Sequence, residues 1–191
     1  MLRTAARCFL LGAVLGTLLD GIHAYGDVLV YPDPAFGRWA WFVPIEFGLV
    51  GAAVGLLMPS LEQVVADGET PHWSLAQRAG ELVLFTGLYL ATALVEPGDA
   101  VALAIALTAL AVFRVVRGGV RGDWAYALAA AVLGPAAEAL ISALGAFDYV
   151  DPDFAGIPIW LPPLWANGGL LIRRLIAPIA MPKYRTTLDR S

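Results

Sequence analysis

The chain has 191 residues, 59% of them hydrophobic, with 12 Lys or Arg against 16 Asp or Glu and a mean hydropathy of +0.73. A small sphere in water has too much surface to cover with so few polar groups, so the composition excludes an ordinary soluble domain, a disordered chain and a basic nucleic-acid binder. The single cysteine, Cys8, can close no internal disulfide, and the natural solvent for this composition is a bilayer.

Crossing the hydrocarbon core takes about 20 apolar residues in a helix. In chain order the sequence offers six such stretches, at residues 6–30, 39–61, 75–95, 100–116, 124–147 and 157–175. The first follows Arg3 and Arg7 and stays apolar past Asp20 and His23 to Tyr31. With no clean small-x-small cleavage site, it reads as a span and not as a signal peptide. The second carries Gly48, Gly51, Ala52 and Gly55, a spacing that lets a neighbouring helix approach closely. The third contains Glu81, three residues after Arg78, a spacing suited to an ion pair on one helix face. The fourth is short, and the fifth contains Glu138. The sixth begins at Pro158 and contains Pro162 and Pro163, which a first helical turn tolerates because its N–H groups lack partners anyway. Beyond Arg173 and Arg174, the segment from Leu175 through Pro178 is expected to lie along the membrane surface. The breaks, among them Tyr31-Pro32-Asp33-Pro34, Asp67-Gly68-Glu69-Thr70-Pro71, Glu96-Pro97-Gly98-Asp99 and Asp151-Pro152-Asp153, are too short for a soluble domain. Residues 1–191 therefore read as one all-α, six-helix membrane domain.

With six spans and a cytoplasmic N-terminus, Arg3, Arg7, Arg78, Arg114, Arg117, Arg121, Arg173, Arg174, Lys183, Arg185 and Arg190 share one side, and Arg38 alone occupies the other. That asymmetry is the positive-inside signature and places both termini in the cytoplasm. A shift of 118 residues superposes Tyr31, Asp33, Pro34, Phe36, Phe42, Val43, Pro44 and Phe47 on Tyr149, Asp151, Pro152, Phe154, Trp160, Leu161, Pro162 and Trp165. The same shift sets Gly16 on Gly134 and Asp20 on Glu138. Helices one and two thus read as a repeat of helices five and six, inserted in the same direction around a shared central space.

Asp20, Glu46, Glu81 and Glu138 fall inside spans, where a charge costs at least about 2.5–3.5 kcal/mol, so they should face the bundle interior. Glu46 is expected about two turns into the second span. Asp20, Glu46 and Glu138 can then converge on one cavity opening to the outer side, while Glu81 pairs with Arg78. Asp20, His23, Asp27 and Tyr31 share one helical face. The pattern fits a metal site or a proton relay, but the other histidine, His72, lies on the opposite side and the repeat puts Ile141 and Gly145 at the places of His23 and Asp27. The stripe is therefore read as polar residues climbing to the surface, with neither metal nor cofactor expected. Trp39, Trp41, Phe42, Phe47, Tyr149, Trp160 and Trp165 mark the outer rim, as an interfacial belt would.

Several of these segments together resemble the insulin-induced-gene (Insig) family. Trp39 through Pro44 matches the Trp-Val-Pro that opens that family's second helix, and Gly55-Leu-Leu-Met-Pro59 matches its close. Pro71-His72, Phe85-Thr-Gly87, Pro152-Asp153-Phe154, Trp160-Leu161-Pro162, Gly168-Gly169 and Arg173 continue the match in order. The resemblance implies six helices with both ends cytoplasmic, and a non-enzymatic sensor that binds sterols and retains partner membrane proteins. Phe85 matches a family position of the sterol-responsive cavity. Arg117 stands where eukaryotic members need an acidic residue for partner binding, Ala100 replaces a glutamine and Phe113 a tryptophan, and the long N-terminal extension is missing. The fold and a lipid-sized cavity carry over; sterol specificity and the eukaryotic partners do not. Eleven Arg against one Lys, with abundant Ala, points to a GC-rich bacterial genome.

The reading is an Insig-like membrane lipid-binding sensor, in the bacterial cell membrane if prokaryotic (the endoplasmic reticulum for eukaryotic members). Asp20, Glu46 and Glu138 would form the polar rim of its cavity, and Trp41, Phe85, Tyr89 and Trp160 the apolar walls. Its ligand would be a sterol, a diacylglycerol-like lipid or another weakly polar lipid. Small-residue faces leave room for a membrane-protein partner or a homo-oligomer. The alternatives are a small membrane enzyme acting on lipid through Asp20, His23 and Asp27, and a proton-coupled carrier.

Overall fold

Local chemistry sets the helix starts. Pro44 and Pro162 lie in the first turns of the second and sixth helices, where a missing N–H costs nothing. The third opens with a capping box: Ser74 Oγ accepts from Gln77 N at 3.2 Å while Gln77 Oε1 accepts from Ser74 N at 2.8 Å. In the computed structural model, which describes residues 1–66 and 72–181, six helices follow one another: α1 (Leu2–Tyr25), α2 (Val43–Val65), α3 (Leu75–Leu94), α4 (Ala100–Gly118), α5 (Asp123–Ala143) and α6 (Leu161–Ala180). A 3-10 turn, Pro97–Asp99, precedes α4, and two short strands, β1 (Leu29–Val30) and β2 (Asp148–Tyr149), pair antiparallel. The chain is an integral membrane protein: α1, α2, α4 with its preceding turn, and α5 are each long and apolar enough to cross a bilayer.

The bundle is organised around α6, which packs against every other helix, while α1 pairs with α2 and α5 with α6 most extensively. That central position explains why α6 is the most buried helix and why it can carry Arg173, Arg174 and Asn167 inside the protein.

The 118-residue repeat is visible atom by atom. Phe36 bridges Trp39 as Phe154 bridges Ile157, and Ala35 N donates to Trp39 O as Asp153 N donates to Ile157 O. A Cβ on Gly16 would meet the Phe47 ring and one on Gly134 the Trp165 ring. The strand register, Leu29 opposite Tyr149 and Val30 opposite Asp148, is symmetric under the same shift, so the Val30–Asp148 pair sits on the pseudo-twofold axis.

Three expectations change. The first helix ends at Tyr25 and not near residue 30, because Leu29 and Val30, although apolar, go into a strand pair. The second starts at Val43, which puts Glu46 in its first turn, where the helix dipole favours a carboxylate. The sixth runs straight on to Ala180, through Pro178, and does not turn onto the membrane surface after residue 175. Pro59 in α2 and Pro135 in α5 also lie inside helices and not at their starts. The Asp67–Pro71 turn and Lys183, Arg185 and Arg190 lie outside the described residues.

Candidate functional site

Two tyrosines fold back over the repeat's two acids. The chain leaves α1 through Asp27, in the left-handed region at φ 55°, and returns so that the Tyr31 hydroxyl donates to both Asp20 oxygens at 3.0 Å. In the other unit Tyr149 donates to Glu138, and the Trp165 indole N–H donates to the second Glu138 oxygen at 2.5 Å. Burial, reinforced by the neighbouring carboxyl groups, pushes the Tyr31 phenol well above its ordinary range and so keeps it a donor. A Tyr149→Phe substitution should therefore cost about 1.5–3 kcal/mol, the worth of a hydrogen bond to a charged group, read from thermal unfolding in detergent. Tyr31→Phe should cost less, because its hydroxyl is shared between two oxygens. Unchanged melting of Tyr149→Phe would show that Trp165 alone holds Glu138.

These acids face a cavity of 340 Å³ between α2 and α5, lined at its polar end by Asp20, His23, Tyr31, Glu46, Glu138 and Tyr149. Its lower walls are apolar: Val50, Val54, Leu57 and Leu61 from α2 face Ala129, Ala130 and Leu133 from α5. Leu57 and Leu133 line it yet remain largely exposed, so the cavity opens sideways onto the surface that lipid would cover. A second, almost wholly apolar cavity of 110 Å³ runs between α1, α2, α3 and α6, and includes Phe85. The two share the lining residues Phe47, Val50, Val54, Tyr89, Trp165 and Ile172, so the polar-headed cavity and this smaller apolar arm adjoin one another across these side chains.

At the end carrying the basic residues, an ion network joins five helices. Arg173 of α6 binds Glu62 of α2 through two bonds, 2.7 and 2.8 Å, and Asp123 of α5 at 2.7 Å. Arg174 reaches Asp123 at 3.1 Å and Glu81 of α3 at 3.3 Å. Arg114 of α4 binds Glu81, and it donates to Asn167 Oδ1 at 2.7 Å. Three guanidinium groups thus balance three carboxylates. Glu81 pairs with Arg114 and Arg174 and not with Arg78, a correction that follows from α3 turning this face toward α6. Arg114, Arg173 and Arg174 are accordingly neutralised partners inside the bundle, not free loop charges.

Of the residues expected to form the site, Asp20, Glu46, Tyr89 and Glu138 line the larger cavity and Phe85 the smaller arm. Trp41 does not join them: it is 63% exposed, as a rim aromatic would be. Trp160 is buried at 4% exposure and lines a separate, polar cavity of 330 Å³ beside Asp27, Thr92, Asp151 and Asp153. The Asp20–His23–Asp27 stripe comes apart. His23 Nε2 bonds Thr92 Oγ1 at 2.8 Å, and Thr92 in turn donates to Tyr89 O, which makes the histidine the donor. The His23 ring stacks on Tyr89 at 4.4 Å, and Asp27 pairs with Arg38 instead. Among the described residues no group of three His, Cys, Asp or Glu could hold a metal ion. Tyr31, Phe47, Tyr149 and Trp165 are cavity residues that the sequence showed only as repeat partners or rim aromatics. Their signal was the 118-residue repeat, which pairs Tyr31 with Tyr149 and Phe47 with Trp165 as it pairs Asp20 with Glu138.

Comparison with known proteins points one way. The model of a family described as "Protein of unknown function (DUF2878)" matches residues 79–184. The insulin-induced gene 1 protein of Danio rerio is 26% identical over 194 residues, covering 95% of this chain and 74% of that protein. The insulin-induced gene 2 protein of Gallus gallus is 25% identical over 196 residues, covering 96% and 83%. The crystal structure of a mycobacterial Insig homologue, MvINS from Mycobacterium vanbaalenii, superposes with a TM-score of 0.73 at 28% identity, covering 93% of each chain. A cross-linked form of that homologue, described as a trimer, superposes with a TM-score of 0.72.

Proposed function

The chain belongs to the DUF2878 family and is a homologue of the Insig proteins, and from that premise we propose that it is a regulatory membrane protein that senses a weakly polar lipid held between its helices. The observation that carries this reading is the larger cavity, with its carboxyl-lined head, apolar lower walls and sideways opening, beside which the smaller apolar cavity lies. Asp20 and Glu138 already accept hydrogen bonds from tyrosines, whereas the Glu46 side-chain carboxyl group has no hydrogen-bond partner among the described residues. A lipid hydroxyl donating to Glu46 would fix the head, while rings or acyl chains pack on Phe47, Phe85, Tyr89 and Trp165. A sterol or a diacylglycerol-like lipid has this form. The end bearing the basic residues faces the cytoplasm, and the membrane is that of a bacterial cell. Assembly with further copies or with another membrane protein would carry the signal onward; the mycobacterial relative has been crystallised as a cross-linked trimer.

Lipid analysis of gently purified protein tests the proposal. Leu133→Trp, which fills the space between α2 and α5 from an exposed wall position, should remove most co-purifying lipid and leave thermal stability within about 0.5 kcal/mol. Wild-type protein that neither carries lipid nor binds sterol or glycerolipid on titration would sink the reading.

A further inference from the structure

α2 and α5 form the walls of the larger cavity, yet they are not a packed helix pair. They are cross-connected at both ends. At one end the strands that precede α2 and follow α5 pair through Leu29–Tyr149 and Val30–Asp148. At the other, a single side chain from α6 holds both: Arg173 takes Glu62 of α2 and Asp123 of α5 on one planar guanidinium. Between these two connections lies the sideways opening past Leu57 and Leu133.

We propose that Arg173 is a positioning residue for the cavity, a tie that fixes the separation of α2 and α5 at the basic end and thereby sets how fast lipid passes between them. The passage of lipid rests on the function proposed above; the fixing of the helices does not. A guanidinium presents its donors in a rigid fork, so holding one carboxylate with two bonds and a second with another sets distances and not merely charge. All three side chains are at most 1% exposed, so water does not compete for these bonds. The sequence makes room for the tie at Gly122, φ +86°, where a Cβ would lie 3.0 Å from Arg173 Nη2. The tie also touches the cavity: Tyr126 lines its basic end, and the Arg173 guanidinium lies 5.2 Å from the Tyr126 ring centroid. An occupant reaching Tyr126 therefore meets a residue that contacts the tie.

The test uses full-length protein in nanodiscs with two variants. Glu62→Gln/Arg173→Met removes the tie and leaves Asp123 and Glu81 balanced by Arg174 and Arg114, and Arg173→Lys keeps the charge but loses the fork. Spin labels on Val64→Cys of α2 and Leu128→Cys of α5, both exposed positions, in a Cys8→Ala background, report the helix separation. Exchange of a fluorescent-chain diacylglycerol reports passage. The tie predicts a longer or broader separation and exchange faster by about tenfold in the double variant, with entry and exit both accelerated and equilibrium affinity nearly unchanged. Arg173→Lys should fall between, and it decides the matter if the double variant does not fold. A purely structural role would lower the melting temperature and leave both readouts at wild-type values, which overturns the proposal. If wild-type protein takes up no lipid, the function proposed above fails, and the separation measurement alone still decides whether Arg173 sets the spacing.

Discussion

A Gly169→Val substitution is expected to abolish the folded bundle in mild detergent, or to lower its stability by about 3 kcal/mol or more, the upper range for overpacking. Gly169 lies where α6 crosses α5, and a Cβ there would come within 2.3 Å of the Tyr126 carbonyl oxygen and 2.8 Å of Ala130 Cβ. The nearest obstacle is backbone, so no rotamer change relieves it and the helices must separate. The other unit of the repeat makes the same demand: a Cβ on Gly51 would lie 2.3 Å from the Cys8 carbonyl oxygen. Residues 51 and 169, like residues 8 and 126, are 118 apart, so Gly51→Val should fail in the same way. Gly87, with nothing within 4 Å of its added Cβ, supplies the control. Gly87→Ala should be neutral or stabilising by up to about 1 kcal/mol, as for any exposed helical glycine. Thermal unfolding followed by size-exclusion chromatography distinguishes the three. If Gly51→Val and Gly169→Val melt like wild type, the close crossings are wrong.

The second large effect concerns charge. Arg173→Ala should cost about 3–5 kcal/mol, because it takes the balancing guanidinium from Glu62 in a dry site and leaves Asp123 with Arg174 alone. Glu62→Gln added to Arg173→Ala should recover a good part of that loss, since it removes the negative charge that the guanidinium had balanced. The comparison is made on unfolding midpoints in one detergent. A double variant no more stable than Arg173→Ala would mean that packing around the guanidinium, between Trp73 and Tyr126, matters more than its charge.

How much of this was legible beforehand depended on the kind of signal. Helix number and order were plain, because apolar runs, turn prolines and the side-to-side count of basic residues agree independently. The repeat was plain too, and with it the equivalence of Asp20 and Glu138. Two things were hidden. Hydropathy could not separate Leu29 and Val30, which pair as a strand, from the lipid-facing residues before them, and it could not separate Trp39 through Phe42 from α2, so the first span reads too long and Glu46 too deep. The ion network was hidden because Glu62 and Asp123 stand at span edges, where an acid reads as a surface charge. Their partner is 111 residues away from one and 50 from the other. Glu81 shows the same limit: local spacing offered Arg78, while the fold supplied Arg114 from α4 and Arg174 from α6. Local spacing describes what a helix could do alone, and α6 at the centre overrides it.

The symmetric strand pair carries a constraint on how such a chain can be assembled by the insertion machinery. Val30 meets Asp148 only if the hairpin turns of the two units emerge on the same side of the bilayer. That requires an even number of crossings between them, and α3 and α4 supply two. Deleting either one would leave every remaining helix intact by composition yet invert the second unit, sending its turn to the opposite leaflet. The middle pair of helices is therefore a parity element of the biogenesis of this protein as much as a part of its packing.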